Sequence, residues 1–153
     1  MNKKEALETA LEIQSFYLPY ATEIEITGSI RRKESEITDF NVVVMLEEEC
    51  YKFYDIFLKL AEYFAIKKST DSVKVKVWYG EPDNWGFLLA KTTGHFHYTP
   101  YELENLWITQ GYEEKDEYLY KGDKMMSISS EEQLYNLLDL PFVAPWFNGF
   151  ENS

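Results

Sequence analysis

Gly28-Ser29-Ile30-Arg31-Arg32-Lys33-Glu34-Ser35-Glu36-Ile37-Thr38-Asp39-Phe40-Asn41 opens on a glycine–serine pair, adds two arginines, and closes on an acid and an amide around a phenylalanine. A glycine-containing turn aims backbone N–H groups at an anion much as a helix N-terminus does, so Gly28 and Ser29 read as a phosphate-binding turn. Arg31 and Arg32 follow with planar, always-charged donors suited to phosphate oxygens. Asp39 and Asn41 stand two apart at the head of Phe40-Asn41-Val42-Val43-Val44-Met45-Leu46. On a strand, residues so spaced share one face. A phosphoryl-transfer site needs carboxylates on such a face to hold two metal ions, and here the second is a neutral amide.

Outward from this stretch, helical and strand patterns alternate. Ala6, Leu7, Ala10, Leu11, Ile13 and Phe16 form a helical stripe over residues 3–17. Residues 23–27 alternate and predict a strand entering the Gly28 turn. Residues 51–64 carry a second amphipathic pattern. In the next strand Lys74, Lys76 and Trp78 face opposite to Val73, Val75 and Val77. A short helix is expected over 84–91. Thr99 suits an N-cap, Pro100 the first helical position and Glu102 the third residue of a capping box. Short strands are expected around Lys121-Gly122-Asp123, and Ser129 is expected to cap a last helix with Glu132 at its third position. His95 and His97 would face one way on a strand, but without a cysteine or third histidine they do not make a metal site. Trp78, Trp85, Trp107 and Trp146 read as packing residues.

Composition excludes several classes. The chain has 153 residues, 45% hydrophobic and 17% aromatic, which suits a folded chain with a sizeable core. It shows no leader pattern and no apolar run near the roughly 20 residues a spanning helix needs, so an intracellular, cytoplasmic setting without a membrane is expected. The single cysteine, Cys50, fits a reducing compartment. Net charge is −12, from 15 basic against 27 acidic residues. Nucleic-acid affinity comes from lysines and arginines that neutralise phosphates. From Tyr101 onward there are eleven acidic and three basic residues, a bias that repels a duplex or simply aids solubility.

The spacing of these motifs resembles the palm of the family X (polymerase beta-like) DNA polymerases, within the nucleotidyltransferase superfamily. That family writes Gly-Ser-aromatic-Arg-Arg, then Gly-Asp-hydrophobic-Asp eleven residues after the first glycine, the interval from Gly28 to Asp39. Its third catalytic aspartate lies eighteen residues before the glycine of a Tyr-Phe-Thr-Gly element. Thr92-Thr93-Gly94 supplies that glycine here, and the count back reaches Lys76. Residues 129–145 resemble the closing S-E-E-x-I-F-x-x-L-G-L-P-x-x-x-P pattern of the family. The resemblance implies an α+β fold: a nucleotidyltransferase palm over residues 1–96, with a mixed sheet flanked by helices, and a small thumb-like α/β lobe over 97–153. An N-terminal lyase domain and a helix-hairpin-helix region, which many relatives carry, are not expected.

By the same resemblance Gly28, Ser29 and Arg32 match positions that touch a nucleoside triphosphate, while Asp39, Asn41 and Lys76 fall on the metal-binding triad. That triad sums to about zero charge instead of about −3. Asn41 offers a neutral carbonyl oxygen and Lys76 no acceptor at all. Lys76 is expected instead to pair with Asp39, or with a side chain beside it, across adjacent strands. The aromatic pair that lies against the incoming sugar is replaced by Lys91-Thr92. The resulting expectation is a catalytically degenerate nucleotidyltransferase-fold protein with no cofactor. Its partners would be a nucleoside triphosphate, a nucleic-acid end, or a protein of replication, repair or defence. Two alternatives stay open: an active DNA-directed nucleotidyltransferase with an altered Mg²⁺ site centred on Asp39, and an acidic interaction protein engaging a DNA-binding partner.

Overall fold

A computed structural model describes residues 1–95 and 97–143. The expectations for Phe96, Ala144, Pro145 and Trp146 lie outside the described residues. The chain is α+β and divides into two compact units, Met1–Gly80 and Glu81–Ser153.

In the first unit, helix α1 (Lys3–Tyr17) begins where the Asn2 side chain accepts a hydrogen bond from the Glu5 N–H at 2.8 Å. Such a cap satisfies one of the donors that every helix leaves open at its start. Ala6, Ala10, Ile13 and Tyr17 form its buried face. A 3-10 turn leads into strand β1 (Ala21–Gly28), which pairs antiparallel with β2 (Phe40–Leu46). A second 3-10 segment (Glu48–Phe53) and helix α2 (Tyr54–Lys68) then cross over to β3 (Val75–Tyr79), parallel to β2. The order β1-β2-β3 makes β2 the central strand. This accounts for its nearly continuous apolar run, since a strand between two neighbours is the one most enclosed.

Both helices cover one face of this sheet. Phe40, Val42, Val44, Val75, Val77 and Tyr79 point into a core shared with Ile13, Tyr17, Phe57 and Phe64. Each large apolar side chain buried there contributes about 1.5–3 kcal/mol. Two phenols sit inside this core. Tyr79 donates to the Phe57 carbonyl at 2.5 Å, leaving its oxygen to accept from the Tyr17 hydroxyl at 2.7 Å. The opposite sheet face carries Asn41, Lys76 and Trp78, the side expected from the alternation of β3.

The second unit contains α3 (Trp85–Thr93), α4 (Pro100–Thr109), the antiparallel meander β4 (Glu113–Lys115), β5 (Tyr118–Lys121) and β6 (Lys124–Met125), and α5 (Glu131–Leu137). The Thr99–Glu102 capping box forms as expected. Gly80 closes the first unit, so α3, which the reading of residues 1–96 as one domain had included, belongs with the second. Its Phe87 and Ala90 are buried against Leu103, Trp107 and Leu134 in a separate core. At α5 the cap is Ser130, which accepts from Gln133 N–H at 3.3 Å, and not Ser129 with Glu132. Ser129 instead donates its N–H to the Gln133 side chain at 2.7 Å. Among the described residues, no helix is long and apolar enough to cross a membrane.

Candidate functional site

The end of β1 is shaped by the close approach of the start of β2. Gly28 pairs with Phe40 in the ladder and has φ +89°. A methyl built on Gly28 would lie 2.9 Å from the Asp39 carbonyl oxygen and 3.1 Å from its carboxylate Oδ2. Both the left-handed backbone and the crowding require glycine. The chain then folds into a tight loop, with Arg32 N–H on the Gly28 carbonyl at 3.1 Å and Glu34 N–H on the Ser29 carbonyl at 3.0 Å.

Ser29 is the hub of this loop and is fully buried. Its N–H donates to Asp39 Oδ1 at 3.1 Å, and its hydroxyl donates to the same oxygen at 2.5 Å. The hydroxyl oxygen accepts from the N–H groups of Thr38 at 3.0 Å and Asp39 at 3.2 Å. Arg32 completes the cluster. Its Nη2 lies 2.7 Å from Asp39 Oδ1 and its Nε 2.9 Å from Glu34 Oε1. Burial alone would lower the guanidinium pKa, but the bonds to Glu34 and Asp39 outweigh it and raise the value, keeping the charge in place. With the Thr38 hydroxyl at 3.4 Å, four donors from three residues thus converge on one carboxylate oxygen.

The fold therefore brings Gly28, Ser29, Arg32 and Asp39 together, with the donors directed at Asp39 itself. Asn41 and Lys76 belong to a different group. They are register partners on β2 and β3. Asn41 Oδ1 accepts from Trp78 Nε1 at 3.0 Å, and the Lys76 ammonium sits over the Trp78 ring, 3.6 Å from its centroid. The ion pair expected between Lys76 and Asp39 does not form. Asp39 ends the loop one residue before β2 begins and is taken by Arg32, while Lys76 reaches the aromatic face two residues along its own strand. Arg31 lies 3.5 Å from Glu25 on β1.

A divalent magnesium site needs several hard, mostly anionic oxygens. Asp39 is the one carboxylate of the triad, and its Oδ1 already holds four donors. The Asn41 carbonyl is committed to Trp78, and Lys76 brings a positive charge. These residues do not fit a two-metal centre. Among the described residues, no group of three or more His, Cys, Asp or Glu side chains is placed to hold a metal ion. His95 and His97 lie in a loop, not a strand. His95 accepts from the His97 N–H on Nδ1 at 3.0 Å, so its Nε2 carries the proton and donates to the Pro141 carbonyl at 3.0 Å.

Three contributors were missed in the sequence. Trp78 was read as packing, although its place two residues after Lys76 on a strand already put both on one face. Thr38 and Glu34 carry no motif signal; a loop that returns on itself brings them to Ser29 and Arg32. No protein-family model matches the chain, and no curated protein matches its sequence.

Proposed function

We propose that this chain is a nucleotidyltransferase-fold protein, similar to the family X polymerase palm, whose metal-dependent catalysis has been lost. It retains a weak, metal-independent site for a phosphate-bearing ligand such as a nucleoside triphosphate or a nucleic-acid end. The observation that carries this reading is the convergence of the Ser29 N–H, the Ser29 hydroxyl and Arg32 on a single anionic oxygen, Asp39 Oδ1. That geometry suits a phosphate oxygen, and Asp39 holds its place until a ligand displaces it. Further support comes from the family pattern's last glycine. Asp139 stands at that position with φ +60°, a conformation for which glycine is the ordinary choice.

The loss of catalysis follows from charge. Two metals need an offset near −3, and Asp39, Asn41 and Lys76 supply none. Calorimetry with a nucleoside triphosphate tests the proposal. The expected result is weak binding, unchanged by EDTA, weakened by salt and abolished in Arg32→Ala. Strict Mg²⁺ dependence, or incorporation of labelled nucleotide on gapped DNA that is lost in Asp39→Ala, would overturn it in favour of an active enzyme.

A second reading, an acidic protein that engages a DNA-binding partner, draws on the second unit. A cleft of about 640 Å³ there is lined by Glu104, Glu113, Glu114 and Asp116 around Trp107 and Tyr112. Such a surface suits arginine- or lysine-rich segments. Salt-sensitive binding of an arginine-rich peptide, reduced by Glu113→Lys, would favour this reading. Loss of binding in Arg32→Ala would point back to the first.

A further inference from the structure

Several cations of the first unit are matched with acids. Arg31 lies against Glu25, Arg32 against Asp39 and Glu34, and Lys68 against Glu12. Lys76, exposed on the sheet face opposite the helices, makes no ion pair among the described residues. It stands in one ladder row with Asn41 and Thr27, both uncharged. Glu25 on β1 and Asp39 at the head of β2 are already held by arginines. The Lys76 ammonium rests instead on the Trp78 ring, 3.6 Å from its centroid, and the indole N–H is fixed on Asn41 at 3.0 Å. An aromatic face holds an exposed cation only weakly, so this charge is open to a stronger partner. Such a partner has a place nearby. Asn41, the register partner of Lys76, is two residues beyond Asp39, and the Ser29 N–H bonds to the Asp39 carbonyl at 3.3 Å, which carries the β1–β2 pairing on to that point. Strand spacing and rise put the Lys76 backbone about 8 Å from that of Asp39, a span that a lysine side chain and one phosphate group fill together.

We infer that Lys76 is a second anion-binding residue of the Ser29–Arg32 site, and that the site takes a ligand with two or more linked phosphates. This rests on the phosphate site proposed above and goes beyond it in naming the ligand's second contact. One phosphate displaces Asp39 from the Ser29 and Arg32 donors. The next meets the Lys76 ammonium, which leaves the Trp78 ring and exchanges a cation–π contact for a charge-assisted hydrogen bond. Lysine is a point charge on a flexible stem, so it can follow the ligand where a planar guanidinium would need a fixed geometry. The Lys76 charge then does what a divalent cation does for linked phosphates elsewhere, and binding needs no metal. A single phosphate, held at Ser29 and Arg32 alone, gains nothing from Lys76.

Calorimetry of the full chain with inorganic tripolyphosphate and with orthophosphate, both in EDTA, tests this. The wild-type chain should bind tripolyphosphate about tenfold or more tightly than orthophosphate. Lys76→Met keeps the apolar stem and removes the charge at an exposed position, so the fold is retained. It should erase most of the preference for tripolyphosphate and leave orthophosphate binding unchanged. An NMR spectrum supplies the second readout. The Lys76 CεH2 protons, held over the indole, resonate upfield in the free chain, and tripolyphosphate should return them to the ordinary lysine position. Equal tripolyphosphate affinity in Lys76→Met and the wild type, or Lys76 signals that stay upfield in the bound chain, would overturn the inference and leave the Ser29–Arg32 site standing. No binding to the wild-type chain, or binding that survives Arg32→Ala, would overturn the proposed site and this inference with it.

Discussion

Asp39 both completes the candidate site and blocks it. On the proposed reading its carboxylate sits where a ligand's phosphate oxygen would find donors, so that ligand has to displace an internal anion that Arg32 and Ser29 already hold. Replacing Asp39 with Asn keeps the shape and removes the competing charge. Nucleotide affinity should rise about tenfold, equivalent to ~1.4 kcal/mol, in a calorimetric titration. The same change should lower stability by roughly 1.5–3 kcal/mol, since charge-assisted hydrogen bonds are lost. If affinity falls instead, Asp39 contacts the ligand directly and the displacement account fails. Gly28→Ala tests the geometry rather than the charge. Its φ of +89° and the nearby Asp39 carbonyl leave no room for a methyl group. The loop should shift and nucleotide binding disappear, with the Asp39 amide signal moving in an NMR spectrum. Much of this site was legible beforehand, because Gly28, Ser29, Arg32 and Asp39 are recognisable by type and interval. The pairing within it was not, since an eleven-residue interval does not say whether an arginine will meet a ligand or the chain's own carboxylate.

Among the elements, α1, β2 and the Thr99 cap follow the sequence pattern closely, because periodicity and capping chemistry both point the same way there. At α5 the cap falls one residue later than the Ser129–Glu132 reading, on Ser130, whose side chain accepts from the Gln133 N–H. The end of α5 is a Schellman motif: Leu140 N–H bonds to the Tyr135 carbonyl at 2.8 Å and Asp139 N–H to the Asn136 carbonyl at 3.2 Å. Asp139 takes the left-handed conformation that this motif requires. Asp139→Gly should therefore stabilise the protein by ~0.5–1 kcal/mol, read as a higher denaturant midpoint with an unchanged slope. Gly86 on α3 is the opposite case. A methyl there would lie 2.1 Å from the Ser130 backbone carbon, in the segment that leads into α5. Neither partner is a flexible side chain, so Gly86→Ala should cost about 1–3 kcal/mol or more, and chemical denaturation will report it. Nothing in the sequence marked that contact, which joins residues distant along the chain.

At the scale of the whole molecule, two separate cores imply two unfolding events. Among the described residues the alternating α and β pattern was readable, but the boundary at Gly80 was not, because it depends on which core receives Phe87 and Ala90. The first core contains the two bonded phenols. Burial raises the pKa of Tyr17, partly opposed by its bond to Tyr79, and burial with the bond to Tyr17 raises that of Tyr79 further. The folded state therefore favours the neutral phenols. Their stabilising contribution is complete below the ordinary tyrosine value of about 10 and is lost as pH rises from there toward the higher folded values. Calorimetric melting at neutral pH and above pH ~10 should show the first unit's transition falling under alkaline conditions. Tyr79→Phe identifies which transition that is. At neutral pH it should lower the first unit's stability by ~1–3 kcal/mol, because the Phe57 carbonyl loses its donor and the Tyr17 hydroxyl its acceptor. Above pH ~10 its further loss should be smaller than that of the wild type, since one of the two titrating phenols is gone. An alkaline shift of the same size in both proteins would show that the buried phenols do not govern it.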